Sequence, residues 1–153
     1  MLTADTNLLV YAVDERDMAK HEAASHLVRR LEQAGAPLGL QAIGEYYSAL
    51  TRRLKRPTWQ AAQSARNYLA KFQTFAITGE SVERALAETS AGRFSYWDAL
   101  LLASADLAGC TVLLSEDMTD GTRLGHVEVV HPFAERGLSK RAEAALASFG
   151  RGR

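Results

Sequence analysis

Leu2–Ala4 opens the chain as an apolar run that reaches Asp5, and from Thr6 to Val13 the residues Leu8, Leu9, Ala12 and Val13 recur at helical spacing. The pattern predicts a strand that turns into a helix at Asp5. His21–Gln33 repeats Ala23, Ala24, Leu27, Val28 and Leu31, with Arg29, Arg30 and Glu32 on other faces. This is an amphipathic helix, ended by Gly35 and Pro37. Leu38–Leu40 is a short strand candidate. Ala42–Leu54 follows as a helix with Ile43, Tyr46, Tyr47, Leu50 and Leu54 on one side. Pro57 stops it, and Thr58 is expected to cap a helix over Trp59–Phe72.

Phe75–Thr78 is rich in β-formers, Ser81–Ser90 is helical, and Gly92 breaks the pattern. Ser95-Tyr-Trp-Asp98 then opens a helix through Leu107. Thr111–Leu114 reads as a strand ending in Ser115-Glu-Asp117, and Val127–Val130 as another before His131-Pro132. Strands thus alternate with helices, which predicts an α/β fold whose central, mainly parallel sheet is flanked by helices. In such sheets, sites form beyond the carboxyl ends of the strands. Glu135–Arg153, rich in Ala and Arg, reads as a helix fraying into a mobile end.

Four carboxylates fall where strands end or helices begin: Asp5, Glu45, Asp98 and Asp117. Each has a plain structural role open to it. Asp5 suits an N-cap, Glu45 suits the first turn of its helix, and Ser95-x-x-Asp98 matches a capping box. Asp117 stands in a loop with Glu116 and with the turn signature Asp120-Gly121. Ser115 could orient a carboxylate or serve as a turn hydroxyl. Against the plain readings, Glu45 lies among Ile43, Tyr46 and Tyr47, and Asp98 precedes Ala99-Leu-Leu-Leu-Ala103. A carboxylate in so apolar a setting must be paired, protonated or bound to metal. Two carboxylates about 4 Å apart repel by roughly 4 kcal/mol at an effective dielectric near 20. A cluster of them calls for a divalent cation, and carboxylate-held Mg²⁺ or Mn²⁺ serves phosphodiester chemistry.

Composition narrows the classes. The chain has 153 residues, the size of one ordinary domain, and 18 acidic residues match 18 Lys and Arg. Any nucleic-acid contact must therefore come from a local basic patch. Cys110 is the single cysteine, a buried small hydrophobe in a reducing compartment. His21, His26, His126 and His131 lack ligand spacing, and no Gly-rich phosphate loop or Gly-x-Ser-x-Gly elbow occurs. With no basic leader and no apolar stretch of about 18 residues, a cytoplasmic chain with no membrane contact is expected.

The chain resembles the PIN-domain ribonucleases, and among them the VapC-type toxins of bacterial toxin–antitoxin pairs. The matching residues are Ala4-Asp5-Thr-Asn7, Glu45 within Ile43-Gly-Glu-Tyr-Tyr47, Phe94-Ser-Tyr-Trp-Asp98-Ala-Leu-Leu-Leu-Ala-Ser-Ala105, and Leu113-Leu-Ser-Glu-Asp117. The resemblance implies a PIN-like domain over residues 1–134, with about four to five short strands, and a helical or mobile tail over 135–153. It implies an acidic quartet of Asp5, Glu45, Asp98 and Asp117 holding Mg²⁺ or Mn²⁺, with Asp5 and Asp98 central, and metal-dependent hydrolysis of RNA. Ser115-Glu116 stands where the family often shows Thr-Asn, so Glu116 and Asp120 are possible additional acids. Arg52, Arg53, Lys55 and Arg56 form a basic cluster on the Glu45 helix, with Arg52 and Arg56 expected to share a face with Ser48. Arg52, Arg53, Arg56 and Arg93 are the candidate RNA contacts. Of Tyr46, Tyr47 and Trp97, at least two are expected in the core rather than stacked on bases. A cognate antitoxin and a homodimer are further implications.

Two other classes stay open. A PIN-like module with a degenerate site could bind RNA or protein without cleaving. A phosphatase with an Asp5 nucleophile would need a second Asp two residues on, where this chain has Asn7.

Overall fold

Leu2–Ala4 forms the first strand, β1, and helices α1 (Thr6–Tyr11) and α2 (Met18–Ala34) follow it. The structure, a computed structural model, describes residues 1–150, with side chains described to Phe149. Asp17 starts α2 three residues before the expected His21, because its carboxylate accepts from Lys20 N at 3.1 Å. Next come β2 (Leu38–Gly39), α3 (Leu40–Arg52), α4 (Thr58–Lys71) and β3 (Thr74–Phe75). Thr58 is the first residue of α4 and not its cap. Pro57 holds that position and makes no side-chain bond. The chain continues through α5 (Gly79–Ser90), capped by a Thr78–Ser81 box, and α6 (Tyr96–Leu107). It closes with β4 (Val112–Leu114), β5 (Arg123–Leu124), β6 (Val127–Val130) and α7 (Lys140–Gly150).

The main sheet runs in the order β1-β4-β6-β5, parallel except for β5. β2 and β3 pair in parallel as a separate two-stranded sheet. Two-residue alternation assigns the faces: Leu114 and Val130 belong to one core, Leu113 and Val129 to the other. The first core takes the apolar stripes of α1, α2 and α3, and the second takes α6. Covering both faces is what parallel strands require. Cys110 is buried in the second core, as expected, and burial pushes its thiol up to about 11.

Register positions the site. Ala4 lies opposite Leu114, so the residues after them, Asp5 and Ser115, leave the sheet side by side. Asp5 N still donates to Leu114 O at 3.0 Å. α3 ends at Arg52, not Leu54, because Lys55 adopts a left-handed backbone (φ 54°) and Arg56 N bonds back to Leu50 O at 3.0 Å. The β5–β6 hairpin turns at Gly125 (φ 58°) and is tied down by Asp106, which accepts from His126 N at 2.8 Å and from Arg84 at 2.7 Å. α7 packs on α2 and β1, burying Ala142 and Leu146, while Glu143 pairs with Arg30. The expected mobile end over 151–153 lies outside the described residues. Among the described residues, no helix is long and apolar enough to cross a membrane.

Candidate active site

Asp5 from the end of β1, Glu45 from α3, Asp98 from the first turn of α6 and Asp117 from the loop after β4 line one open cleft of about 320 Å³. Arg52 and Arg53, at the far end of α3, line the same cleft. Residues 112 positions apart in sequence thus share one space, because β1 and β4 are neighbours and α3 and α6 begin beside their ends.

Each carboxylate has a defined support. Asp5 is 8% exposed and accepts from Thr6 N at 2.6 Å and from Ser115 Oγ at 2.7 Å. The same Ser115 Oγ accepts from Asp117 N at 3.3 Å. Glu45 accepts from Thr6 Oγ1 at 3.0 Å and from Gln41 Nε2 at 2.8 Å. Gln41 also donates to Trp97 O at 3.2 Å, which links α3 to the start of α6. Asn7 donates its amide to Asp117 and accepts from Arg53 at 3.3 Å. At α6, Ser95 Oγ accepts from Asp98 N at 3.4 Å, but the return bond of a capping box is not made among the described residues. Asp98 therefore keeps its carboxylate for the cleft.

The acids repel one another. Burial pushes the Asp5 carboxyl up to about 6, with the charges of Asp117 and Glu45 adding to the rise and the bonds from Ser115 and Thr6 opposing it. Burial also raises Asp117, reinforced by Glu116 and Asp98, against the pull of Asn7 and Arg53. None of the four has a cationic partner within 4.0 Å among the described residues. Carboxylate oxygens alone are the donor set of a hard divalent cation such as Mg²⁺. The donor chemistry fits that ion; the spacing is open. Among the described residues, no three His, Cys, Asp or Glu side chains already stand in metal-holding geometry.

No family model matches the chain, and no curated protein matches its sequence. Solved structures do match. VapC20 of Mycobacterium tuberculosis, described as a sarcin–ricin loop cleaving toxin, is 20% identical with a TM-score of 0.58, covering 74% of this chain and 87% of its own. A toxin–antitoxin complex from Klebsiella pneumoniae is 21% identical with a TM-score of 0.62, over 87% and 98%. VapBC2 from Rickettsia felis, bound to a DNA fragment from its promoter, is 11% identical with a TM-score of 0.61, over 84% and 96%. The fold is that of the VapC-type PIN domains. Identity this low establishes the fold alone, so the chemistry of this PIN cleft rests on its own residues.

Several expected residues lie elsewhere in this PIN fold. Glu116 is held outside the cleft by Lys20 at 3.1 Å and by the Tyr11 hydroxyl. Asp120 pairs with Arg141 at 2.5 Å and accepts from His131 N, also away from the cleft. Arg93 pairs with Glu88 at 2.6 Å. Arg56 lies beyond the end of α3, so it does not share the Ser48–Arg52 face, and it donates to Val13 O at 2.7 Å. Of the three aromatics only Tyr46 is core, packed edge-on against Tyr68; Tyr47 and Trp97 are exposed. Ser115 is fully buried and orients Asp5, which decides between its two readings. Thr6, Asn7 and Gln41 were not singled out as supports. Thr6 and Asn7 directly follow Asp5, and Gln41 sits one helical turn before Glu45, and those spacings were the available signal.

Proposed function

We propose that this chain is a divalent-metal-dependent endoribonuclease, the toxin member of a toxin–antitoxin pair. One observation carries the reading: four carboxylates from distant parts of the sequence line one cleft, none with a paired cation among the described residues, and two arginines stand beside them. A bound Mg²⁺ or Mn²⁺ would neutralise the cluster and supply Lewis-acid activation of a phosphodiester and of water. Asp5 and Asp98 would hold it, with Glu45 and Asp117 completing the set or orienting the attacking water. Ser115 and Thr6 keep the Asp5 oxygens aimed, and Asn7 does the same for Asp117. Arg52 and Arg53 offer guanidinium forks to the phosphates.

RNA as substrate and an antitoxin as partner draw support from neighbours described as a loop-cleaving toxin and a toxin–antitoxin complex. A homodimer and a cytoplasmic location complete the reading. The phosphatase alternative is disfavoured, because Asn7 fills the position of its required second Asp and is engaged with Asp117. The test is cleavage of structured RNA by the purified protein with Mn²⁺ or Mg²⁺. Activity that EDTA and Asp5→Asn both abolish supports the reading. Absent cleavage by the folded protein leaves the non-catalytic binding module, and cleavage that persists in EDTA overturns the metal-dependent reading.

A further inference from the structure

A second hollow, of about 560 Å³, opens beside the carboxylate cleft at the C-terminal end of α3, and Arg53 lines both. Its walls carry three guanidinium groups, Arg16, Arg53 and Arg56, against two carboxylates, Asp14 and Glu15. The left-handed turn at Lys55 brings Arg56 to this place: its side chain folds back onto Val13 O instead of continuing along α3. Among the described residues, the Arg53 side chain is tethered by one hydrogen bond, to the Asn7 amide oxygen at 3.3 Å. Arg16 grips Asp14 through contacts of 2.7, 2.9 and 3.2 Å, yet its side chain is 72% exposed.

We propose that this hollow is a phosphate subsite for a single-stranded polynucleotide, binding a phosphodiester some nucleotides away from the one under attack. The proposal rests on the nuclease reading of the neighbouring cleft. Charge makes the argument. A carboxylate-lined cleft repels a polyanion everywhere except at its cation, so a substrate needs a positive hold close by. The arginine hollow supplies one, and the shared Arg53 makes the two spaces neighbours. A mononucleotide would not use a second hollow, so the substrate class is a chain that runs past the cleavage position. Asp14 holds Arg16 in the free protein and competes with the incoming phosphate for it, since a guanidinium fork suits either anion.

The experiment measures fluorescence anisotropy of a labelled oligouridylate of ten nucleotides in EDTA, where no metal-dependent cleavage can interfere. Removing one phosphate contact lowers the salt slope of single-strand binding by about 0.7, which is about fivefold in affinity at 0.1 M salt. Arg16→Gln should weaken decamer binding by that factor. Asp14→Asn should tighten decamer binding and steepen the slope, a gain that structural damage would not produce. Unchanged decamer affinity and slope in both Arg16→Gln and Asp14→Asn would overturn the subsite. Arginine-dependent decamer binding in a protein that never cleaves RNA would instead sink the nuclease reading and keep the subsite.

Discussion

Ser115 Oγ donates to Asp5 Oδ2 at 2.7 Å across 110 positions of sequence, between two residues that leave neighbouring parallel strands at the same level. Strand register therefore fixes the orientation of the most buried acid in the cleft. The bond also holds down a carboxyl that burial alone would push higher. The hydroxyl serves the loop as well, by accepting from Asp117 N.

Asp5 stores instability in the metal-free protein. Its folded pKa of about 6 exceeds the unfolded value of 3.8, so between these pH values the folded state binds more proton and stability falls as pH rises. Two units correspond to about 3 kcal/mol at most. Asp5→Asn should therefore be more stable than wild type at pH 7 in EDTA, by about 1–3 kcal/mol, with the gap closing near pH 4. Urea denaturation at the two pH values checks this. Mn²⁺ should raise the melting temperature of wild type and not of the variant.

Asn7→Ala and Ser115→Ala remove supports without touching an acid. Losses of this kind cost about 10–100-fold in metal affinity or activity. Both variants should fold, cleave RNA 10–100-fold more slowly and require more Mn²⁺ for half-maximal rate. A metal titration of the cleavage rate reads the effect.

The aromatic residues should separate cleanly. Tyr46 is 1% exposed and packs at 4.9 Å from the Tyr68 ring, so Tyr46→Ala should cost about 3–5 kcal/mol in urea denaturation. Trp97, 61% exposed, should leave stability within about 0.5 kcal/mol when changed to Ala. Any weakening of RNA binding by Trp97→Ala reports base stacking, worth about 1–3 kcal/mol per base.

Gly125 tests the hairpin tie. A Cβ there would collide with the Asp106 carboxylate, at a left-handed φ of 58°. Gly125→Ala should destabilise by more than about 1 kcal/mol, because it strains the backbone and displaces Asp106 from His126 and Arg84. Denaturation midpoints of Gly125→Ala and Asp106→Ala measured together read the effect.

Much of this fold was legible because burial writes a period into the chain. The α2 stripe from Ala24 to Leu31 and the β6 run Val127–Val130 announce themselves by spacing, and the acids at strand ends announce the cleft. β5 went unread because two residues, Arg123 and Leu124, carry no period, and only pairing with β6 makes them a strand. Arg56 was misplaced for a backbone reason: nothing in Leu54-Lys55-Arg56 marks a non-glycine residue in the left-handed region. Glu116 was ambiguous because its partners, Tyr11 and Lys20, stand nearly a hundred or more residues away. Supports such as Gln41 depend on the spacing between helices, which no local pattern records.

α3 carries Glu45 in its second turn, not its first, and Arg52 as its last residue, seven residues or about 10 Å apart along a rigid axis. An acid and an arginine of the same cleft are thus mounted on a single ruler. Under the nuclease proposal, the distance between the metal-holding acid and the phosphate-holding arginine is set by the helix, and altering it would require breaking the helix itself.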